Sequence, residues 1–166
     1  VVVSCSESLF CKPYTHSKKI YESILSDLSI PEQNQYYNRK IYITRPNNSL
    51  RYISNESILI TTLKEKGFEI IDANTLSFIQ QIELFSQASI LIGVHGAGLT
   101  NMIFRKQGKL KVIEIFSPYQ GYNPFHYTMM AKMFNFDYRY INGIPSKEIQ
   151  HGGFCININE LENKLD

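Results

Sequence analysis

At 166 residues and 43% hydrophobic content, the chain is long enough for one domain with its own core. No uninterrupted apolar run approaches the roughly 18 to 20 residues of a membrane-spanning helix, and Val1-Val2-Val3 is too short for a signal-sequence core. A formal charge of +2, with no basic run longer than Lys18-Lys19, excludes the electrostatic footprint of a nucleic-acid binder.

Residues 1–39 read as a polar connector, with a helix near Ser17 to Ser29 that Pro31 closes off. The regular pattern begins at Lys40, and residues 40–166 read as one domain. Lys40 to Thr44 alternates as a strand does, Ser54 or Asn55 caps a helix running to Lys66, and Gly67 stops it. Phe68 to Ile71 is a second strand, and Thr75 caps a helix over Ser77 to Gln87. Ser89 to Val94 is apolar on both faces, which suits a central parallel strand. A short helix over Gly98 to Phe104, a strand over Leu110 to Phe116, a helix over Pro124 to Asn135 and a strand over Phe136 to Ile141 complete the alternation. Met129, Met130, Met133 and Phe134 read as the core face of the helix over Pro124 to Asn135. The tail holds Gly152-Gly153, a strand-like Phe154 to Ile158 and a helix from Asn159. Strand-helix alternation throughout predicts an α/β fold with a doubly wound parallel sheet.

Cys5, Cys11 and Cys155 form no CxxC pair and have no histidine cluster beside them, so neither a zinc site nor a disulfide framework is indicated. A reducing compartment is the simpler reading. A bridge from Cys5 or Cys11 to Cys155 belongs to the alternative of a secretory protein.

The segment Gly93-Val94-His95-Gly96-Ala97-Gly98-Leu99-Thr100-Asn101 carries the strongest functional signal. A buried strand delivers a glycine-rich turn to a helix start, where close backbone approach and unpaired N–H groups favour an anion, most often phosphate. Gly96, Ala97, Gly98, Leu99, Thr100 and Asn101 are therefore candidate ligand contacts, although close helix-on-strand packing also explains glycines there. Ligands of doubly wound folds lie outside the carboxyl ends of the strands, and Arg45, His95 and Glu114 sit at or near three such ends. Arg45 offers a fixed charge and forked donors to a diphosphate, or pairs with a surface carboxylate. Arg51, in a turn-rich loop, folds over the same pocket or pairs with Glu56. Asn55 and Glu56 are plausible helix caps whatever the function. His95 donates to a phosphate or sugar oxygen, or is a buried histidine satisfied by a carbonyl. Glu114 accepts ribose hydroxyls, or has a buried partner such as Arg105 or Lys111. Tyr119, Tyr122 and His126 crowd a loop that either closes over a ligand or anchors a turn.

Ile41-Tyr42-Ile43-Thr44-Arg45, then Arg51 with Asn55-Glu56, then the glycine-rich turn, then Val112-Ile113-Glu114-Ile115 together resemble the nucleotide-sugar-binding domain of glycosyltransferase family 61. The resemblance covers Lys40 to Ile141. The family includes plant xylosyl- and arabinosyltransferases, animal O-linked N-acetylglucosaminyltransferases and bacterial polysaccharide enzymes. The resemblance implies a Rossmann-like half of a GT-B fold and transfer of a sugar from a nucleoside diphosphate donor, UDP-sugar by expectation, to a glycan or glycosylated acceptor, with inversion. His95 and Arg45 are then the catalytic candidates, stabilising the leaving diphosphate. Arg45, Arg51, Gly96 to Asn101 and Glu114 are then the donor-binding residues.

No cofactor is called for and no metal site is expected, since the sequence holds no Asp-X-Asp pair. The general base is not identified. The chain begins at Val1 and is short for a two-domain transferase, so a preceding domain is expected to be missing. The compartment is cytoplasmic in a bacterial setting and an endomembrane lumen in a eukaryotic one. Two alternatives remain: a non-catalytic module that binds nucleotide sugar or a partner protein, and an NAD-dependent oxidoreductase, whose fingerprint fits poorly because the third glycine is lacking and the turn comes late in the chain.

Overall fold

A computed structural model describes residues 38–45, 51–105, 109–119, 125–146 and 153–166, with residues 19–20, 22–23 and 26–27 in helical conformation. The rest of the connector, and with it Cys5 and Cys11, lies outside the described residues, as do Tyr122 and Pro124. Strands β1 (Arg39–Ile43), β2 (Phe68–Ile71), β3 (Ala88–Val94), β4 (Lys111–Phe116) and β5 (Asp137–Asn142) form one sheet in the order β2-β1-β3-β4-β5. Every neighbouring pair is parallel, so the doubly wound, Rossmann-like α/β arrangement expected from the alternation is the one present. The chain leaves β1 for β2 on one side and returns across to β3 on the other, which makes the gap between β1 and β3 the topological switch point.

Alternation within each strand splits the core into two layers. Ile41, Ile43, Leu91 and Val112 face one side, where helix α2 (Phe78–Phe85), the 3-10 helix Ala97–Phe104 and helix α3 (His126–Met133) cover them. Tyr42, Ile92, Val94, Ile113, Ile115 and Ile141 face the other, beneath helix α1 (Glu56–Glu65) and the C-terminal segment. That segment is β6 (Ile144–Pro145) paired antiparallel with β7 (Phe154–Cys155), followed by helix α4 (Ile158–Asn163).

Gly67 ends α1 at φ +79°, a left-handed conformation that glycine adopts without steric cost, as its place in the sequence predicts. Several local expectations are corrected. Asn55 precedes α1 but makes no capping hydrogen bond. Its amide instead pairs with the Ile156 peptide, donating from Nδ2 at 2.9 Å and accepting at Oδ1 at 3.1 Å. An asparagine amide matches a backbone peptide in both donor and acceptor, so it joins the C-terminal segment as one more strand residue would.

Thr75 is not the cap of α2. It closes a 3-10 turn, Ala73–Thr75, whose N-cap is Asp72, and α2 is capped by Ser77 in a reciprocal box with Gln80. The helix after the glycine turn is of 3-10 type. Ile158 opens α4 rather than closing a strand, with Asn157 accepting from the Glu160 N–H at 3.2 Å. On α3 the buried positions are Tyr127 and Ala131, with Met130 and Phe134 packed beside them, so the core face centres on an aromatic four residues before an alanine rather than on the methionines.

Candidate functional site

The switch point brings two chain ends together. β1 runs through Thr44 to Arg45, and β3 runs through His95 into the glycine turn. Arg45 Nη2 donates to the carbonyl of His95 at 3.1 Å. A Cβ on Gly96 would lie 1.8 Å from that nitrogen, so the missing side chain is what lets the guanidinium lie across the turn. Gly98 has a different neighbour. A Cβ there would come 3.2 Å from Ile43 Cγ2, which makes Gly98 a contact between the 3-10 helix and β1. Close packing of helix on strand therefore accounts for Gly98, and room for the Arg45 guanidinium accounts for Gly96.

Leu99 is fully buried in the core, and its N–H bonds the Gly96 carbonyl at 3.0 Å. Thr100 hydrogen-bonds Tyr127, Asn101 is buried, and Ala97 is exposed.

His95 continues the sheet one residue past β3, its N–H bonding the Ile115 carbonyl at 2.9 Å. The imidazole stacks on Phe116 with centroids 5.6 Å apart and meets the edge of Tyr127 at 5.2 Å. Its Nδ1 pairs with Glu114 Oε1, and Glu114 Oε2 accepts from the Tyr138 hydroxyl. Glu114 is 0% exposed, lying opposite Gly93 of β3, so both of its oxygens meet protein groups inside the sheet layer. The partners weighed for it in the sequence lie elsewhere: Arg105 donates to the Ser86 carbonyl and Lys111 to the Leu165 carbonyl.

Burial pushes the Glu114 carboxyl up to about 7, against the pull of the Tyr138 hydroxyl. Burial pushes the His95 imidazole down to about 4, and the charges of Arg51, His126 and Arg45 push the same way. Arg51, His126 and Arg45 thus all lie within electrostatic reach of one ring. Arg45, half-buried, is itself lowered by burial and by the charge of Arg51, yet a guanidinium stays protonated at any working pH.

Arg51 sits at φ +69° at the start of the described stretch that leads to α1. Its alternative pairing with Glu56 is not formed, because Glu56 Oε1 accepts from Tyr42 at 2.6 Å and from Thr44 at 2.7 Å. Among the described residues neither Arg45 nor Arg51 is paired with a carboxylate. Arg45, the glycine turn and the buried His95–Glu114 pair thus lie together at the switch point, with Arg51 within electrostatic reach.

A profile of the family described as Glycosyltransferase 61 matches residues 2–113. The chain belongs to glycosyltransferase family 61. The match takes in Arg45, Arg51 and the whole glycine turn, and it ends one residue before Glu114. Similar proteins include the protein O-linked-mannose beta-1,4-N-acetylglucosaminyltransferase 2 of Xenopus tropicalis, 32% identical over 105 residues, covering 61% of this chain and 16% of the relative. The Homo sapiens protein of the same name is 32% identical over 111 residues, covering 61% and 18%. The EGF domain-specific O-linked N-acetylglucosamine transferase of Drosophila melanogaster is 26% identical over 142 residues, covering 84% and 25%. This family 61 chain thus spans a quarter or less of the length of these relatives.

Tyr127, Tyr138 and Phe116, which the sequence does not single out, stand around the His95–Glu114 pair of this family 61 chain. One signal pointed toward them: a carboxylate inside an apolar strand demands a partner from its own face, and Tyr138 shares that face on β5. Of the loop residues, Tyr119 is exposed with its N–H on Ser117 Oγ at 3.2 Å, and His126 opens α3 within electrostatic reach of His95.

Proposed function

We propose that this chain is the donor-binding domain of a glycosyltransferase. It takes a nucleoside diphosphate sugar, UDP-sugar by preference, with the diphosphate over the glycine turn between Arg45 and Arg51. The sugar passes with inversion to a hydroxyl of a glycan or glycosylated acceptor. The observation that carries this reading is Arg45 lying across the glycine turn at the switch point of a parallel sheet, with Arg51 within electrostatic reach and neither arginine paired with a carboxylate among the described residues. Membership of family 61 supports the reaction class.

As the bond from the anomeric carbon to the diphosphate breaks, negative charge grows on the leaving oxygens. Fixed donors aimed at that charge bind the transition state more tightly than the ground state. Arg45 and Arg51 supply permanent charge, and His95, with Nδ1 held by Glu114, meets the ligand through Nε2. No step in this scheme requires a metal ion, and the acceptor's general base comes from outside this domain. The nicotinamide alternative gains no support, because Asn101 stands where a dinucleotide fingerprint carries its third glycine.

Calorimetric titration with UDP, GDP and NAD, each with and without magnesium, tests the proposal. Saturable binding of one nucleoside diphosphate, indifferent to magnesium, is expected. Arg45→Ala should weaken it by about 1.5 to 3 kcal/mol, the loss of a charge-assisted hydrogen bond. Unchanged affinity in that variant removes Arg45 from the site, and binding of NAD alone overturns the reading.

A further inference from the structure

We propose that Tyr138 and Glu114 are positioning residues that fix the ring and the proton of His95, so that its Nε2–H is offered to the diphosphate; this rests on the donor-site reading above. Three side chains from three adjacent elements form a single chain of contacts. The Tyr138 hydroxyl of β5 donates to Glu114 Oε2 of β4, and Glu114 Oε1 holds His95 Nδ1 at the end of β3. Phe116 stacks on the ring and Tyr127 meets it in a T-shaped contact, so both restrict its rotation.

The proton count follows from this geometry. While the pair holds one proton, it lies on Oε1 or on Nδ1, and in both cases Nε2 carries a hydrogen and donates. Once that proton is lost, Glu114 is ionised, Nδ1 keeps the ring's hydrogen, and Nε2 becomes an acceptor facing an anion. Growing charge on a leaving phosphate draws the shared proton from Oε1 toward Nδ1, strengthening the donor when the transition state needs it. The raised Glu114 places the loss of this proton at about pH 7.

Among the described residues, the titratable and charged groups around the ring and its partner include Arg45 beyond β1, Arg51 before α1, Glu114 on β4, Tyr138 on β5 through Glu114, and His126 and Tyr127 on α3. His126 is a second imidazole within electrostatic reach of the ring, so His126→Asn separates its influence from that of the pair.

The test is the affinity of the full chain for UDP-N-acetylglucosamine, whose diphosphate does not ionise in this range, between about pH 5.5 and 8.5. Wild-type affinity is expected to be level at low pH and to fall toward about tenfold per pH unit above the midpoint. His126→Asn should keep that fall, and Glu114→Gln should abolish it. Tyr138→Phe should move the midpoint to higher pH, because the hydroxyl it removes stabilises the carboxylate. A fall that persists in Glu114→Gln, or variants that weaken binding at every pH without moving the profile, overturns the proposal.

The nitrogen-15 resonances of the His95 ring give a second readout without nucleotide: Nε2 protonated below the midpoint in wild type, with the step missing in Glu114→Gln. Should the chain bind neither this sugar nucleotide nor UDP or GDP, the donor-site reading fails, and the ring titration still decides the relay.

Discussion

A carboxyl group with no exposed surface inside a parallel strand destabilises the fold unless it is paired or keeps its proton, and the partners of Glu114 are His95 and Tyr138. The linkage to stability can be worked out for each member. His95 is lowered from 6.5 to about 4, so it contributes stability that is present above pH 6.5 and lost as pH falls toward 4. Glu114 is raised from 4.5 to about 7, so it contributes stability that is present below pH 4.5 and lost as pH rises toward 7. Between pH 4.5 and 6.5 the folded pair holds one proton on Glu114 and the unfolded chain holds one on His95, and the two slopes cancel. Each single variant should uncover the other slope, relative to wild type. Glu114→Gln should lose up to about 1.4 kcal/mol of stability per pH unit on acidification across this window, and His95→Gln should gain by a similar amount. Urea unfolding at several pH values measures this, and variant curves parallel to wild type would show that the pair is not coupled in this way. The sequence made Arg45, His95 and Glu114 legible because each stands at a strand end. It left the pairing itself hidden, because contact between His95 and Glu114 depends on the β3–β4 register, and Tyr138 depends on β5 lying next to β4.

At the scale of elements, periodicity located all five strands of the sheet, since a two-sided apolar run and a glycine stop are local signals. Caps were harder because Asp72, Thr75 and Ser77 compete within six residues, and only Ser77 has a glutamine three positions on to close the box. Ser77→Ala should therefore cost about 1 kcal/mol of stability and leave nucleotide affinity unchanged. Gly98→Ala should behave differently. Its Cβ would press on Ile43 Cγ2 at 3.2 Å, and Ile43 is the last residue of β1, two before Arg45. Overpacking of about 1 to 3 kcal/mol outweighs the roughly 0.5 to 1 kcal/mol that alanine gains over glycine in a helix, and the shift passes along β1 to the guanidinium. Thermal melts and nucleotide titration of the two variants side by side should show stability loss alone for Ser77→Ala and loss of both for Gly98→Ala. Normal affinity in a destabilised Gly98→Ala would mean that the end of β1 does not transmit the strain.

For the whole molecule, the second face of the sheet is closed by residues that the family match does not reach. Phe154, Ile156 and Leu161 are buried against Tyr42, Ile92, Val94 and Ile113. The same segment is tied to the loop that carries Arg51: Phe154 N–H bonds the Tyr52 carbonyl at 3.1 Å, and Ser54 N–H bonds the Phe154 carbonyl at 2.8 Å. A tail that reads in sequence as a short strand and a helix is therefore part of both the core and the frame of the site, which no local pattern discloses because its contacts span about a hundred residues. Phe154 also fills the space beside Gly143, where a Cβ would lie 2.2 Å from its ring. Phe154→Ala should accordingly destabilise the protein by about 3 to 5 kcal/mol, a large share of the 5 to 15 kcal/mol typical of a domain. It should also weaken nucleotide binding, because the strand pairing that holds Tyr52 and Ser54 loosens one residue from Arg51. Urea unfolding followed by tyrosine fluorescence, with nucleotide titration under native conditions, measures both. A loss below about 1 kcal/mol would place residues 153–166 outside the cooperative core; a large loss of stability with unchanged affinity would separate the core role of Phe154 from the placement of Arg51.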